Sequence, residues 1–389
     1  MSFDKLNTRN STTVIKAVCA IVFSSFSFIY LYFHQADLLA MTQHSLSGGA
    51  TSYDKLIGAV LITFVLQLLQ VGVYAVTRLQ RHTHALTYFP SLFFLSVISG
   101  FSDRIYSGEG FSSLIWIIPI VLILWIVVVT VSRGMLVRQS PETGMFSRTM
   151  WINILIMAAM FLMVGIAGNG NAVAHYRMSV ETSLLEQDNE RALKTGRRSL
   201  ETDSSLTMLR IYALARAGEL GERLFSYPIK GTSKDIVPTF KGTSCLLYPN
   251  DSIYRFLGAI PRYNMDAMTY LEVLRNNGQG TEAVKDYILC GYLIDKDLDG
   301  FVSALLSYYG TPDSLSQNVC DSLPKHYREA LTLYVHTRSN PAFVYHNSVV
   351  DMDFEDLQAL EKQYPSFTER KIKVYDQYSG TYWWYYEYE

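Results

Sequence analysis

The stretch Ser113–Val131, SLIWIIPIVLILWIVVVTV, decides the fold class of this chain. It carries no charged side chain and approaches the ~20 apolar residues that one helix needs to cross a bilayer. Backbone N–H and C=O groups find no partners in hydrocarbon, so only a helix suits such a run. The stretch therefore predicts a transmembrane helix, and Pro119 predicts a kink within it.

Four more apolar runs occur in the first 168 residues, which we interpret as a transmembrane domain. The predicted spans are Val14–Phe33, Leu56–Val76, Ala85–Phe101, Leu114–Val131 and Trp151–Ala167. The third is short and contains Pro90, so a re-entrant or interfacial segment is the alternative for it. No small-x-small cleavage site follows the first run, which favours a retained helix over a signal peptide.

The basic residues of the connecting segments predict the orientation. Eight Lys and Arg lie in the N-terminal segment and the second and fourth loops, whereas the first and third loops carry only Lys55 and Arg104. Short cytoplasmic loops carry the excess of positive charge. The N-terminus is therefore predicted to be cytoplasmic, and five spans place residues 169–389 on the other side.

Composition limits the classes of partner. Residues 169–389 contain 23 Lys and Arg against 29 Asp and Glu, an acidic balance that argues against nucleic acid and anionic lipid surfaces. The chain has no P-loop, GxGxxG, GxSxG or HExxH motif, so no cofactor is predicted. Cys245, Cys290 and Cys320 lack metal-site spacing, and free thiols are expected.

Apolar residues at intervals of three and four predict helices through most of the polar region. The predicted helices are Ala172–Gln187, Asn189–Glu201, Ser205–Ala217, Asn264–Arg275, Thr281–Leu293, Leu298–Tyr309, Pro324–Thr337 and Asp353–Tyr364. A capping box at Ser366–Glu369 predicts one more. Residues 226–262 contain several Pro and Gly and predict an irregular insertion.

Two segments resemble helical-hairpin repeats. Residues 213–219, ALARAGE, are similar to the turn of a tetratricopeptide (TPR) hairpin, and residues 327–334, YREALTLY, resemble its second helix. The predicted fold is therefore all-α, with a five-helix transmembrane bundle followed by an extracytoplasmic TPR-like domain.

The overall layout resembles multi-pass inner-membrane proteins of Bacteroidetes type. Residues 84–91, HALTYFPS, and 380–386, GTYWWYY, carry this second resemblance. It implies a multi-pass protein of a bacterial inner membrane with the tail in the periplasm.

Asp295, Asp297 and Asp299 precede Gly300 with the spacing of a calcium loop. Position 12 of such a loop would be Leu306, where a bidentate glutamate is needed. Capping of the following helix by Asp297 or Asp299 is the alternative. The sequence therefore offers these three aspartates as a calcium candidate that lacks the glutamate ligand.

The first outer loop offers candidate catalytic residues. Asp37 and His44 lie in this polar segment, and carboxylates and imidazoles at a membrane surface serve as general bases or metal ligands. An exposed polar loop without chemistry is the other interpretation.

The most unusual string is Tyr382, Trp383, Trp384, Tyr385 and Tyr386. Such a cluster suits a platform that binds sugar or peptide. It also suits the membrane interface, or the core beneath the helical array. We keep it as a candidate binding site with these alternatives.

These features predict a non-enzymatic scaffold that is anchored in the bilayer. Its periplasmic helical surface would bind another envelope protein, since helical arrays offer extended binding surfaces. The alternative is a membrane enzyme, or its degenerate relative, that acts on lipid-linked sugar or peptidoglycan precursors through the outer loops.

Overall fold

The computed structural model of the protein describes residues 2–48, 50–51, 53–79, 81–107, 112–134, 147–167, 171–239, 242–310 and 322–389. Every regular element in these ranges is a helix, which confirms the all-α prediction. The chain forms two compact units, Met1–His175 and Tyr176–Glu389. Their boundary lies within a helix, a few residues after the predicted boundary at residue 168.

The first unit contains six complete helices and the start of a seventh within its described residues. They are α1 (Ser2–Ile29), α2 (Ala36–Ser47), α3 (Lys55–Thr77), α4 (Phe89–Ser107), α5 (Ser112–Gly134), α6 (Arg148–Ala167) and α7 (Ala172–Leu185). A π-helical turn, Tyr30–His34, continues α1, and a 3₁₀ segment, Arg81–Tyr88, precedes α4.

Three helices among the described residues are long and apolar enough to cross a membrane. They are Thr12–His34, Lys55–Thr77 and Arg148–Ile166, with mean hydropathies of 2.0, 2.3 and 2.1. A shorter apolar helix covers Ile118–Arg133. On α3 the apolar side chains Val60, Phe64 and Leu68 are more than half exposed. Exposed apolar side chains of this density are the expected surface of a helix in lipid.

Polar side chains join the helices of the first unit from within. Gln70 donates to the Thr87 hydroxyl at 2.8 Å, and the Ser91 hydroxyl donates to the Leu66 carbonyl at 2.8 Å. The Asn153 amide oxygen accepts from the Ala85 N–H at 2.8 Å. All three bonds join neighbouring helical segments of the first unit, and bonds of this kind add to helix packing in hydrocarbon.

Two local predictions in this unit were wrong. The first outer loop contains α2, because Leu38, Leu39 and Met41 recur at helical spacing and are buried. The third predicted span begins in the 3₁₀ segment, and its α-helix starts only at Phe89. Pro90 lies in the first turn of α4, where a proline needs no N–H partner. Arg138, one of the orientation residues, lies outside the described ranges.

The second unit is built from short helices. After α7 these are α8 (Asn189–Lys194), α9 (Ser204–Ala217), α10 (Leu220–Arg223), α11 (Asn250–Leu257), α12 (Ala267–Asn276), α13 (Glu282–Ile294), α14 (Leu298–Tyr309), α15 (Lys325–Thr337), α16 (Ser348–Gln363), α17 (Phe367–Tyr378) and α18 (Tyr382–Tyr388). Consecutive helices pack as hairpins in α12–α13, α13–α14 and α16–α17.

Three boundaries in this unit differ from the predictions. The helix at Asn189 ends at Lys194 rather than Glu201, because the chain turns through Gly196 at φ +63°. The helix predicted from Asp353 begins at Ser348, where the Asn347 side chain caps the N–H groups of Val349 and Val350. The predicted irregular insertion, residues 226–262, contains α11.

The capping box predicted at Ser366 does not form. The helix does begin at Phe367, but its Ser366 N-cap makes no side-chain capping bond.

The core of the second unit centres on α13 and α15. Tyr287, Leu289 and Leu293 of α13 and Tyr327 and Leu331 of α15 are almost completely buried. Helix α9 contributes a nearly continuous buried stretch from Leu206 to Leu214. Since both faces of α9 are covered, it is a central helix rather than an amphipathic outer one.

Candidate functional site at the aromatic helix α18

The aromatic residues of α18 lie in the core. Tyr382, Trp383, Trp384, Tyr385 and Tyr388 are each at most 8% exposed, and Tyr386 is partly buried. The predicted open platform for sugar or peptide is therefore corrected in favour of the core alternative. The reason is that α18 packs on both α15 and α17, which covers two sides of a seven-residue helix.

Hydrogen bonds fix α18 to the rest of the second unit. The Trp383 indole N–H donates to the Glu329 carbonyl at 2.8 Å, and the Tyr385 hydroxyl donates to the Ile294 carbonyl at 2.8 Å. The Phe225 ring lies 5.0 Å from that of Tyr382 and 4.8 Å from that of Tyr385. Such aromatic contacts add to the apolar burial of the rings.

A buried polar cluster at the start of α15 receives the N-terminus of α18. The Glu329 carboxylate accepts from the Tyr382 N–H at 2.8 Å and lies 2.9 Å from His326 Nδ1. His326 is completely buried, and its Nε2 accepts from the Phe225 N–H at 3.3 Å. Because Nε2 is an acceptor, Nδ1 carries the proton that is donated to Glu329.

Sequence reasoning missed this cluster, although the i, i+3 spacing of His326 and Glu329 on one helix face was available as a signal. Lys325 adds to the same attachment. Its Nζ donates to the Gly380 carbonyl at 3.0 Å and lies 3.6 Å from Glu329. The start of α15 therefore binds both the N-terminus of α18 and the turn before it.

Beside α18 lies a cavity of about 160 Å³. Three segments and α18 contribute to its wall. The lining residues are Arg197, Arg198, Ser199, Leu200, Phe225, Ser226, Tyr227, Pro228, Tyr375, Ser379, Gly380, Trp384 and Glu389. The wall thus combines two arginines and hydroxyl-bearing residues with aromatic residues.

The loop that carries the two arginines is held from beneath. Arg210 is 2% exposed and donates to the Gly196 carbonyl at 3.2 Å and to the Thr202 hydroxyl at 3.4 Å. A Cβ on Gly196 would lie 2.9 Å from the Tyr176 ring, so a larger residue would not fit there. The loop is therefore fixed at both ends of its turn.

The charge of Arg210 remains even in this buried position. Burial lowers the pKa of its guanidinium to about 10, which still leaves it charged at neutral pH. The Tyr227 ring lies 5.3 Å from the guanidinium carbon and provides a cation–π contact. Because Tyr227 also lines the cavity, Arg210 connects the loop and the aromatic wall.

A second buried carboxylate fixes another loop of this unit. Glu181 is completely buried and accepts from the N–H groups of Leu246, Leu247 and Tyr248 at 2.8, 2.5 and 2.9 Å. Arg177 pairs with it at 3.2 Å. Three converging N–H groups and one arginine satisfy this carboxylate, so it has a structural role.

The three aspartates of the predicted calcium loop point to three different partners. Asp295 accepts from the N–H and hydroxyl of Ser233 at 2.9 and 2.5 Å. Asp297 caps α14 through the Gly300 N–H, and Asp299 pairs with Arg338 at 2.7 Å. No metal-binding cluster occurs among the described residues. The capping alternative is therefore correct for Asp297.

The candidate residues Asp37 and His44 lie on a helix rather than in a loop. Both lie on α2, and a separation of seven residues places them ~10.5 Å apart along the axis. Asp37 is paired with Lys55 at 2.8 Å. The carboxylate of Asp37 is thus occupied by an ion pair with the lysine that begins α3.

The cysteines in the described part of the chain carry free thiols. Cys19, Cys245 and Cys290 are free thiols, and Cys320 lies outside the described residues. Burial raises the pKa of the Cys245 and Cys290 thiols. Both are therefore protonated and unreactive at neutral pH.

Comparison with known families gives one match, and it includes α18. Residues 261–389 match a family described as "Family of unknown function (DUF6057)". The matched region runs from the segment before α12 through α18 and contains the His326–Glu329 cluster. No curated protein and no solved structure matches the chain.

Proposed function

We propose that the protein is a membrane-anchored, non-enzymatic scaffold whose second unit binds another protein of the cell envelope. The proposal includes a five-helix transmembrane bundle with a cytoplasmic N-terminus and a TPR-like helical unit in the periplasm of a bacterium of Bacteroidetes type. The three helices of membrane-spanning length in the first unit support the anchor. The basic residues of the second and fourth loops support the orientation.

The observation that carries the binding role is the apolar surface of the α16–α17 hairpin. Val349 and Met352 on α16 are 67% and 63% exposed, and Phe367 and Ile372 on α17 are 56% and 57% exposed. Large apolar side chains grouped on one hairpin of a polar unit are typical of a protein-binding surface. A partner that covers them gains the free energy of removing this area from water.

The polar groups of the second unit favour binding over catalysis as its role. Glu181, Glu329 and Asp297 each accept hydrogen bonds that hold a loop or a helix in place. His326 is bonded at both ring nitrogens. A catalytic acid or base needs access to a substrate proton, and these groups are occupied by structural partners.

In-cell crosslinking tests the partner. A photoreactive phenylalanine analogue at Met352 is expected to capture one dominant envelope protein, identified by mass spectrometry, because Met352 lies on the exposed apolar hairpin. The same analogue at exposed Glu222 on α10 is the matched control and should capture little. Equal yields from both positions, or capture of lipid alone at Met352, would reject the scaffold.

Cysteine labelling tests the orientation. In a background without native cysteines, Glu190→Cys is expected to react with a membrane-impermeant maleimide in cells with a permeabilised outer membrane. Arg148→Cys is expected to react only after lysis, since it lies on the side with the positive charges. Both side chains are exposed, so accessibility of the compartment decides labelling. If Arg148→Cys were labelled while the inner membrane is intact, the orientation would be the opposite of the one proposed.

A further inference from the structure

The residues that line the cavity beside α18 indicate the class of ligand that it binds. We infer that it binds the carboxylate of a glutamate side chain in an acidic peptide segment of the partner. This inference specifies the chemistry of the partner in the proposed function. It rests on that function for the statement that the ligand is part of a protein. The arginines and the size and apolar wall of the cavity support it.

The two arginines supply the charge. Arg197 and Arg198 are exposed and line the cavity, on a loop that Arg210 fixes through the Gly196 carbonyl. A guanidinium binds a carboxylate with two parallel hydrogen bonds. Because the loop is fixed before binding, little conformational entropy is lost when the anion arrives.

The size and the aromatic wall favour a carboxylate on an aliphatic stem. A cavity of about 150 Å³ holds a benzene molecule, so a glutamate side chain fits into about 160 Å³. Phe225, Tyr227 and Trp384 line the same space and provide apolar contact for methylene groups. Inorganic phosphate would use the arginines but leave this apolar wall without contact.

One acidic residue, Glu389, also lines the cavity. Its carboxylate opposes a bound anion, and the two arginines outweigh it. This arrangement gives a test by the sign of the effect. Removing an arginine should weaken binding, whereas removing the charge of Glu389 should strengthen it, and a merely structural role for these residues would not produce opposite signs.

The test uses the full-length protein in nanodiscs of uncharged phosphatidylcholine, with ligand-observed NMR as the readout. The probes are acetyl-glutamate methylamide, acetyl-glutamine methylamide and inorganic phosphate. The glutamate probe is expected to bind with a Kd of about 1 mM, typical of a small ligand with few contacts. The glutamine probe should bind at least about tenfold more weakly, because it lacks the charge.

The variants define the site. Arg197→Gln and Arg198→Gln are each expected to weaken glutamate binding about fivefold to tenfold, and Glu389→Gln to strengthen it about twofold to threefold. Arg262→Gln, a change at an exposed arginine outside the cavity, should leave binding unchanged. Because the changed arginines are exposed, the fold should not change, and far-UV circular dichroism checks this.

Three outcomes would overturn the inference. They are equal binding of the glutamate and glutamine probes, tighter binding of inorganic phosphate than of the glutamate probe, and arginine variants that bind like the wild type. Crosslinking from Met352 separates this inference from the proposed function. If the Arg197→Gln, Arg198→Gln double variant still captures the partner with wild-type yield, the proposed scaffold function is retained and the inference that the cavity binds a peptide of the partner is rejected.

Discussion

Replacing Glu329 with alanine is expected to lower the free energy of unfolding of the second unit by about 3–5 kcal/mol, because two buried donors lose their acceptor at a cost of about 1–3 kcal/mol each. The change removes the acceptor of the Tyr382 N–H and of His326 Nδ1. Both donors then remain buried without a partner. Hydrogen exchange of the peptide that covers α18 should rise first, because this helix begins at the lost bond. Urea denaturation of the detergent-solubilised protein measures the full effect.

Two matched variants sharpen this experiment. Glu387→Ala removes an exposed glutamate of α18 itself and should leave hydrogen exchange unchanged. Glu329→Gln keeps an oxygen acceptor for the Tyr382 N–H and should lose less stability than Glu329→Ala. If Glu329→Ala and Glu387→Ala unfold at the same urea concentration, the attachment of α18 through α15 is wrong.

The second large effect is expected at Glu181. Glu181→Ala should destabilise the second unit by at least about 3 kcal/mol, since it leaves three backbone N–H groups and a buried arginine without their acceptor. The segment Leu246–Tyr248 should become accessible to protease, because this carboxylate holds it against α7. Limited proteolysis followed by mass spectrometry detects the new cleavage sites.

The arginine partner permits a double-mutant cycle. Arg177→Met combined with Glu181→Leu is expected to be less destabilising than the sum of the single changes, because no unpaired buried charge remains. Glu190→Ala, at an exposed surface pair with Lys194, serves as the control and should show no measurable change. Strict additivity of the two single changes would contradict the role assigned to this pair.

The helical content was predictable because it depends on local patterns. Apolar runs and three- and four-residue spacing located α9, α13, α14 and α15 within one or two residues. The missed α2 had such a pattern, in Leu38, Leu39 and Met41, but its polar neighbours His34, Gln35 and His44 favoured a loop. A helix end that depends on the conformation of one residue, such as the turn at Gly196, is fixed by tertiary contacts and is not visible in the local pattern.

The site was much less predictable from the sequence. The aromatic string at 382–386 was recognisable as unusual, yet its location depends on contacts with Phe225 and Glu329, which are distant in the chain. The calcium spacing of Asp295, Asp297 and Asp299 failed because Asp295 and Asp299 bind partners from other segments and Asp297 caps the helix that follows. Pairings over such separations follow from packing, which a single sequence does not display.

The attachment of α18 also bears on where an autonomous folding unit begins. The family match starts at residue 261, but the Phe225 ring covers Tyr382 and Tyr385, and the Phe225 N–H satisfies His326. A fragment cut at the family boundary would expose two buried tyrosines and leave a core histidine without its donor. A fragment that folds by itself must therefore begin upstream of residue 225.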